Sequence, residues 1–275
     1  MSEPFSFHGK DGVPLAGYSY AAQNPTRFLV GIHGMAEHAG RYEDFGVCLS
    51  RSGVSLTIAD LRGHGRSGGR RGHIRKFSDY LDDASVLVGH ASPAGQPKPF
   101  LFGHSLGGLI ALAYALRWPE SIAGVIVSSP ALGSNLSIPP LQMAASTLLD
   151  RIWPTYPFKN TVDPNDLSRN PEVGRAYMQD PLILRWVSVR FFRETLRWMD
   201  RVGARAQEIK LPLLMLLGSR DKIVPIDQAQ TFYEKISSAE RELKVYRGYL
   251  HEILQDPERD LVYDDILRWI HDTQT

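Results

Sequence analysis

The sequence predicts an α/β fold in which a mostly parallel sheet is flanked by helices. Short apolar runs rich in β-branched residues alternate with helical stretches along most of the 275 residues. The runs are continuous rather than alternating in polarity, which is typical of strands buried on both faces. Strands that alternate with helices form β-α-β units, so a doubly wound parallel sheet follows.

An opening hairpin is predicted first, because residues 5–7 and 14–20 flank a turn-forming tetrad at 9–12. Six buried strands follow, predicted at residues 28–33, 54–59, 100–103, 122–128, 213–217 and 243–246. Amphipathic or Leu- and Ala-rich stretches predict the helices of the core, at residues 42–50, 77–90, 106–117, 228–236 and 261–270.

Residues 131–205 break this alternation. We find no strand-like apolar run there, and helical pieces at 141–152, 172–178 and 182–202 are separated by prolines. We predict a core made of residues 1–130 and 206–275, with residues 131–205 inserted as a helical cap above the sheet. The many aromatic and methionine side chains of the cap pack a small core of its own, and any surplus lines a ligand channel or rests on lipid.

Composition narrows the function classes. The formal net charge of +1 gives no support for nucleic-acid binding. Cys48 is the only cysteine, which excludes an intrachain disulfide and a zinc site built on several thiolates. The N-terminal residues lack the pattern of a signal peptide, and no apolar run approaches the ~20 residues needed to span a bilayer. We expect a cytoplasmic protein, and the sequence leaves the oligomeric state undetermined.

The strongest chemical signal is Gly103-His104-Ser105-Leu106-Gly107, placed between a predicted strand and a predicted helix. A serine on such a sharp turn exposes its hydroxyl, and the glycines on either side permit close approach of the backbone. The turn also places the Leu106 N–H at a helix N-terminus, where a developing oxyanion is stabilised. We therefore predict Ser105 as a catalytic nucleophile, against the alternative of an ordinary turn serine.

A serine nucleophile needs a base, and the base needs an acid that orients it. In proteins with a nucleophile on a strand-to-helix turn of this kind, the chain order is serine, then acid, then histidine. Asp221 follows the strand predicted at 213–217, and His251 follows the strand predicted at 243–246. Both positions lie at the carboxyl edge of a parallel sheet, where ligands bind. We predict Asp221 as the acid and His251 as the base. Asp60 also ends a strand, but it precedes Ser105 and is expected to order the loop after it.

The second oxyanion donor should come from the loop after an earlier strand. The strand predicted at 28–33 opens into His33-Gly34-Met35, so the Met35 N–H is the expected partner of the Leu106 N–H. His33, Glu37 and His38 could suggest a metal site, but no further ligands cluster near them in the sequence. We expect neither a metal nor a cofactor.

Four segments together resemble the monoacylglycerol lipase and lysophospholipase family of the α/β-hydrolases. They are HGMAEHAGRY at 33–42, DLRGHGRS at 60–67, GHSLGG at 103–108 and DPL at 180–182. The first of these is far more specific than the serine motif. Asp221 and His251 complete the pattern, which extends from the first buried strand almost to the C-terminus.

The resemblance implies an eight-stranded sheet with an antiparallel second strand, and a helical cap that contacts membranes or micelles. It implies a small lipid ester as substrate, with Glu37, Arg41 and Tyr177 in the pocket for the polar head group. The chain departs from the animal enzymes at Leu254, where they carry a further histidine, and in lacking their cysteines near the site.

The leading hypothesis is a serine hydrolase that cleaves monoacylglycerol to glycerol and fatty acid through an acyl-enzyme. Carboxylesterase, lysophospholipase, thioesterase and aminopeptidase activities remain open on the same scaffold. A ligand-binding protein without catalysis is the alternative from another class, although such proteins usually lose a member of the triad.

Overall fold

A computed structural model describes residues 2–92, 95–133 and 140–274. Ten strands occur in these ranges: β1 Glu3–His8, β2 Pro14–Tyr20, β3 Arg27–Ile32, β4 Val54–Ala59, β5 Phe100–His104, β6 Gly124–Ser128, β7 Pro157–Lys159, β8 Trp186–Ser188, β9 Leu213–Gly218 and β10 Arg241–Tyr246. The eight α-helices are α1 Glu43–Arg51, α2 Ser78–Ala91, α3 Leu106–Arg117, α4 Pro140–Ile152, α5 Pro171–Gln179, α6 Val189–Gly203, α7 Ile226–Lys235 and α8 Arg259–Asp272.

Eight strands form one sheet in the order β1-β2-β4-β3-β5-β6-β9-β10. Strand β2 is antiparallel to both of its neighbours, and the pairs from β4 to β10 are parallel. The predicted fold class is therefore confirmed, including the antiparallel second strand. The predicted core strands and helices are all present, with bounds that differ by two residues or fewer.

The sheet has an apolar cluster on each face. Helices α2, α3 and α7 pack on one face, where Leu101 of β5 is buried among them. Helices α1 and α8 cover the other face, against Phe100 and Phe102 of the same strand. Neighbouring residues of one strand are thus buried on opposite sides, which explains why the strands are continuously apolar in sequence.

The described part of residues 131–205 differs from its prediction in one respect. Strands β7 and β8 form a two-stranded antiparallel sheet within it, although no strand was expected there. Consequently the helix predicted at 182–202 begins only at Val189. Each of these strands has three residues, too few for a period-two pattern to emerge. The start of the predicted cap runs into residues 134–139, which lie outside the described residues.

Within the described ranges, no helix is both long enough and apolar enough to cross a membrane.

Candidate active site

Ser105 lies on the turn between β5 and α3, in a backbone conformation that L-residues rarely adopt (φ 52°, ψ −114°). The turn can form only because glycines flank it. A Cβ on Gly103 would lie 2.1 Å from the Gly107 carbonyl oxygen, and one on Gly107 would lie 2.1 Å from the Ile32 carbonyl oxygen. The Leu106 N–H stands at the first residue of α3, at the positive end of the helix dipole.

Asp221 and His251 come together at the carboxyl edge of the sheet, after β9 and β10. The His251 Nδ1 atom lies 2.7 Å from Asp221 Oδ2, and the two side chains are 5% and 4% exposed. The other carboxylate oxygen, Oδ1, accepts hydrogen bonds from the backbone N–H groups of Ile223 (2.8 Å) and Val224 (3.0 Å). Asp221 is therefore fixed on both sides, and it holds the His251 ring with Nε2 available for the substrate side.

The electrostatic environment makes His251 the titrating group of the pair. Burial alone would lower the pKa of His251, but the Asp221 carboxylate stabilises the protonated ring, so the pKa is raised above the usual 6.5. The ring of His104 lies 4.8 Å from that of His251, centroid to centroid. Burial, with the charge of His251 acting in the same direction, lowers the pKa of His104 to about 4. His104 is thus neutral near pH 7.

The loop after β3 carries the second predicted oxyanion donor. Ala36 adopts a left-handed conformation (φ 67°), and Glu37 folds back so that Oε1 accepts the Gly34 N–H at 2.5 Å. In the chain, Met35 lies between Gly34 and Glu37, and its side chain lines the same cavity as Ser105. The Glu37 carboxylate therefore braces the segment that contains Met35.

Two carboxylates share one arginine beside this loop. The Arg41 guanidinium donates to Glu37 Oε2 at 2.9 Å and makes a bidentate contact with Glu252, with both distances 2.7 Å. Burial would raise the pKa of Glu37, but Arg41, the two nearby histidines His33 and His104 and the Gly34 N–H together lower it to about 2. Because Glu252 follows His251 directly, Arg41 joins the loop of Met35 to the loop of the base.

Histidines near the site have partners other than a metal. His33 Nε2 accepts the Leu61 N–H at 2.9 Å, and His38 Nε2 lies 2.7 Å from Asp180 Oδ2. Asp60 orders its own loop, as predicted from its position, by accepting the backbone N–H groups of Ala39 and Arg66. Among the residues that the structure describes, no group of three or more His, Cys, Asp or Glu side chains is arranged to hold a metal ion.

Two cavities meet at Ser105. An apolar cleft of about 190 Å³ begins at Met35, Ser105 and Leu106. Its far wall comes largely from α6, through Phe191, Phe192, Leu196 and Met199. A smaller cavity of about 30 Å³ is also lined by Ser105, and a larger share of its lining is polar. Its polar lining is supplied by Glu37, His104, Tyr177, His251 and Glu252.

The predicted residues are thus gathered at one place. Ser105, His251, Met35, Glu37 and Tyr177 line the small cavity, Asp221 bonds His251, and Leu106 lines the cleft. The Arg41 side chain is 12% exposed and is engaged by the two glutamates.

Sequence reasoning missed the contacts that hold the His251 backbone in place. Ser129 has a left-handed backbone (φ 44°), and its hydroxyl donates to the His251 carbonyl at 3.0 Å. The pairing of His38 with Asp180 was also missed, although both residues belong to segments that carry the family resemblance. The Ser129 contact has no comparable signal, because it joins residues 122 positions apart.

The chain is similar to known hydrolases along most of its length. Residues 23–258 match the model of the family described as serine aminopeptidase, S33. A monoacylglycerol lipase of Mycolicibacterium smegmatis is 34% identical over 268 residues, which cover 96% of this chain and 95% of that protein. A phospholipase of Bacillus subtilis is 32% identical, over 90% of this chain and 95% of the relative. The crystal structure of Paleococcus ferrophilus monoacylglycerol lipase superimposes with a TM-score of 0.87 and 32% identity, covering 94% of this chain and 99% of that chain.

Proposed function

Because this chain belongs to the monoacylglycerol lipase family of the α/β-hydrolases, we propose that it hydrolyses monoacylglycerols to glycerol and a fatty acid. Membership of this family makes the protein a serine ester hydrolase that acts on lipid esters. The observation that carries the finer proposal is that Ser105 lines both an apolar cleft and a small, more polar cavity. An ester with one acyl chain and a small polyol matches that pair of spaces.

In the proposed mechanism, Ser105 Oγ attacks the ester carbonyl while His251 Nε2 takes its proton. The oxyanion of the tetrahedral intermediate accepts hydrogen bonds from the backbone N–H groups of Met35 and Leu106. His251 then gives its proton to the departing glycerol oxygen, which leaves the acyl group on Ser105. Water, deprotonated by His251, attacks this acyl-enzyme, and protonated His251 returns the proton to Ser105 Oγ as the fatty acid leaves. Asp221 holds the imidazole tautomer throughout.

We assign the two cavities to the two parts of the substrate. Residues 131–205 would act as the cap, since α6 supplies much of the cleft wall against which an acyl chain would lie. Glu37 and Tyr177 would contact the head group in the small cavity, and Arg41 would hold Glu37 in place there. The carboxylates of Glu37 and Glu252 can accept hydrogen bonds from the hydroxyl groups of a polyol.

We also propose that the cap rests on lipid. Among the described side chains from α4 to β8, six large apolar ones are exposed, including Ile152 at 70%, Leu148 at 60% and Trp153 at 55%. Such a concentration of apolar surface is unusual for a surface that meets only water. Flotation with neutral phosphatidylcholine vesicles tests this, with Ile152→Ser and Trp153→Ser expected to weaken the association.

The Bacillus subtilis relative gives a second candidate, since its name is phospholipase and its identity of 32% is close to that of the lipase relative. A lysophospholipid has one acyl chain as well and differs only in its head group. Carboxylesterase and thioesterase activities differ from both in needing no head group.

The test combines covalent labelling with a substrate panel. Wild type should react with a fluorophosphonate and Ser105→Ala should not. Turnover of the same variant should fall by several orders of magnitude, roughly 10⁶-fold, whereas its thermal unfolding midpoint stays unchanged. Monoacylglycerols should be cleaved faster than lysophospholipids, diacylglycerols, acyl thioesters or amino-acid amides. Full activity in Ser105→Ala would contradict the proposed mechanism. Faster cleavage of a lysophospholipid than of a monoacylglycerol would favour the second candidate function.

A further inference from the structure

The loop that contains His251, the proposed base, is held by several contacts with the core of the protein. This base loop, residues 251–256, follows β10 and contains a single turn of 3-10 helix, Ile253–Gln255. Ser129 binds the His251 carbonyl, and the Tyr263 hydroxyl donates to the Leu254 carbonyl at 2.9 Å. Arg41 binds Glu252, and its carbonyl accepts the Gln255 side-chain amide at 2.7 Å. These supports all come from the predicted core.

A short segment of the inserted region also binds this loop. This clamp segment, residues 167–169, precedes α5. The Leu167 carbonyl accepts the Glu252 N–H at 2.7 Å, directly after the base in the chain. The Ser168 hydroxyl donates to the Gln255 carbonyl at 2.9 Å. Two successive residues of the clamp segment therefore bind backbone groups of the base loop.

The third clamp residue makes the strongest contact. Arg169 donates from Nε to Asp256 Oδ2 at 2.9 Å and from Nη2 to Oδ1 at 2.5 Å. The Asp256 side chain is 1% exposed and that of Arg169 34%, so water screens this bidentate pair from the arginine side only. The guanidinium also lies 4.3 Å above the Tyr249 ring, two residues before the base. Arg169 thus contacts the chain on both sides of His251.

We propose that the clamp segment is a positioning element for His251, with Arg169 as its anchor through the ion pair with Asp256. The proposal rests on the assignment of His251 as the base. An arrangement of this kind makes the reactivity of the triad depend on the seating of the inserted region, even for substrates too small to touch that region. Displacement of a base by about 1 Å can lower turnover about 100-fold, so a loose loop is sufficient to impair catalysis.

The kinetic test compares two arginines of the same region. Arg169→Ala should lower kcat for p-nitrophenyl butyrate about 10- to 100-fold and leave KM within about twofold. Arg169→Lys should recover part of the loss, because an ammonium keeps the charge but cannot make the bidentate contact. The matched control is Arg175→Ala: Arg175 is 63% exposed, and its ion pair among the described residues is with Glu172 of the same helix. It should behave as wild type.

A spectroscopic readout separates positioning from a merely structural role. The proton between His251 Nδ1 and Asp221 should give a far-downfield proton NMR signal in wild type and in Arg175→Ala. In Arg169→Ala the signal should broaden or shift, because the loop that holds the ring is no longer clamped. If Arg169→Ala does not fold, Ser168→Ala removes one clamp bond and should lower kcat about fivefold.

The outcomes separate this proposal from the proposed function. An inactive Ser105→Ala beside an Arg169→Ala with wild-type kcat and an unaltered downfield signal would overturn the clamp and leave the triad standing. A raised KM at unchanged kcat would also overturn it, since Arg169 would then act in binding. An active Ser105→Ala would instead remove the proposed function, and the clamp with it.

Discussion

The Asp221 carboxylate lies 2.7 Å from the His251 imidazole with both side chains nearly inaccessible to water, and this pairing raises the pKa of His251. Burial would lower that pKa, so the carboxylate is what keeps the protonated ring stable. The same contact therefore orients the ring and sets the pH range in which it can accept a proton.

The first prediction concerns that pH range. His251 must be neutral to act as base, and a raised pKa keeps it protonated to higher pH. The rate constant kcat/KM should therefore rise with pH through a midpoint above 6.5 and then level off. Hydrolysis of p-nitrophenyl butyrate from about pH 5 to about pH 9 measures it. A midpoint below 6.5 would show that Asp221 does not dominate the environment of the base.

The second prediction removes the carboxylate. Asp221→Asn should lower kcat about 10⁴-fold, because the imidazole is then held in the wrong tautomer. The midpoint of the residual activity should move to lower pH, since the charge that stabilised protonated His251 is gone. Asp227→Asn is the control, because Asp227 is exposed in the first turn of α7. An Asp221→Asn enzyme with wild-type turnover would require another acid.

Sequence alone anticipated the sheet because its strands are buried on both faces, which leaves a continuous apolar run in each. Ser105 follows from its glycine-flanked turn between a strand and a helix, and Asp221 and His251 follow from the rule that parallel strands place their carboxyl ends at one edge. Contacts between segments that are far apart in the chain leave no such pattern in the sequence. Arg41 and Glu252 are 211 positions apart, and Arg169 and Asp256 are 87 apart, so only the folded chain brings each pair together.

The third prediction tests the head-group cavity. The Tyr177 hydroxyl accepts the Asn160 side-chain amide at 2.9 Å, and Tyr177 lines the small cavity beside Ser105. Tyr177→Phe should lower kcat/KM for monoacylglycerol about fivefold to tenfold and leave p-nitrophenyl butyrate unaffected, because that ester has no glycerol. Tyr156→Phe, in an exposed part of the same region, should change neither. Equal losses on both substrates would make Tyr177 structural.

The fourth prediction concerns acyl length. Each methylene buried in the cleft contributes about 0.8 kcal/mol, so kcat/KM should climb up to about fourfold per carbon until the cleft is full. Leu196 lines the cleft from α6, and Leu196→Trp should end this rise at a shorter acyl chain. Leu261→Trp, on the exposed side of α8, should leave the length profile unchanged. A series of monoacylglycerols of increasing length measures all three profiles, and an unshifted optimum in Leu196→Trp would place the acyl chain elsewhere.

The last prediction is about the stability of the nucleophile turn. A Cβ on Gly107 would meet the Ile32 carbonyl oxygen at 2.1 Å, and that oxygen belongs to the backbone of a central strand that cannot move aside. Gly107→Ala should therefore lower the free energy of unfolding by about 1–3 kcal/mol or more, and activity should fall with it. Gly89→Ala is the control, and the opposite change in the free energy of unfolding is expected for it. Gly89 lies in α2 with nothing within 4 Å of an added Cβ, so alanine should raise the free energy of unfolding by about 0.5–1 kcal/mol. Urea denaturation of both variants measures the difference, and equal stabilities would mean that the turn has more room than its glycines indicate.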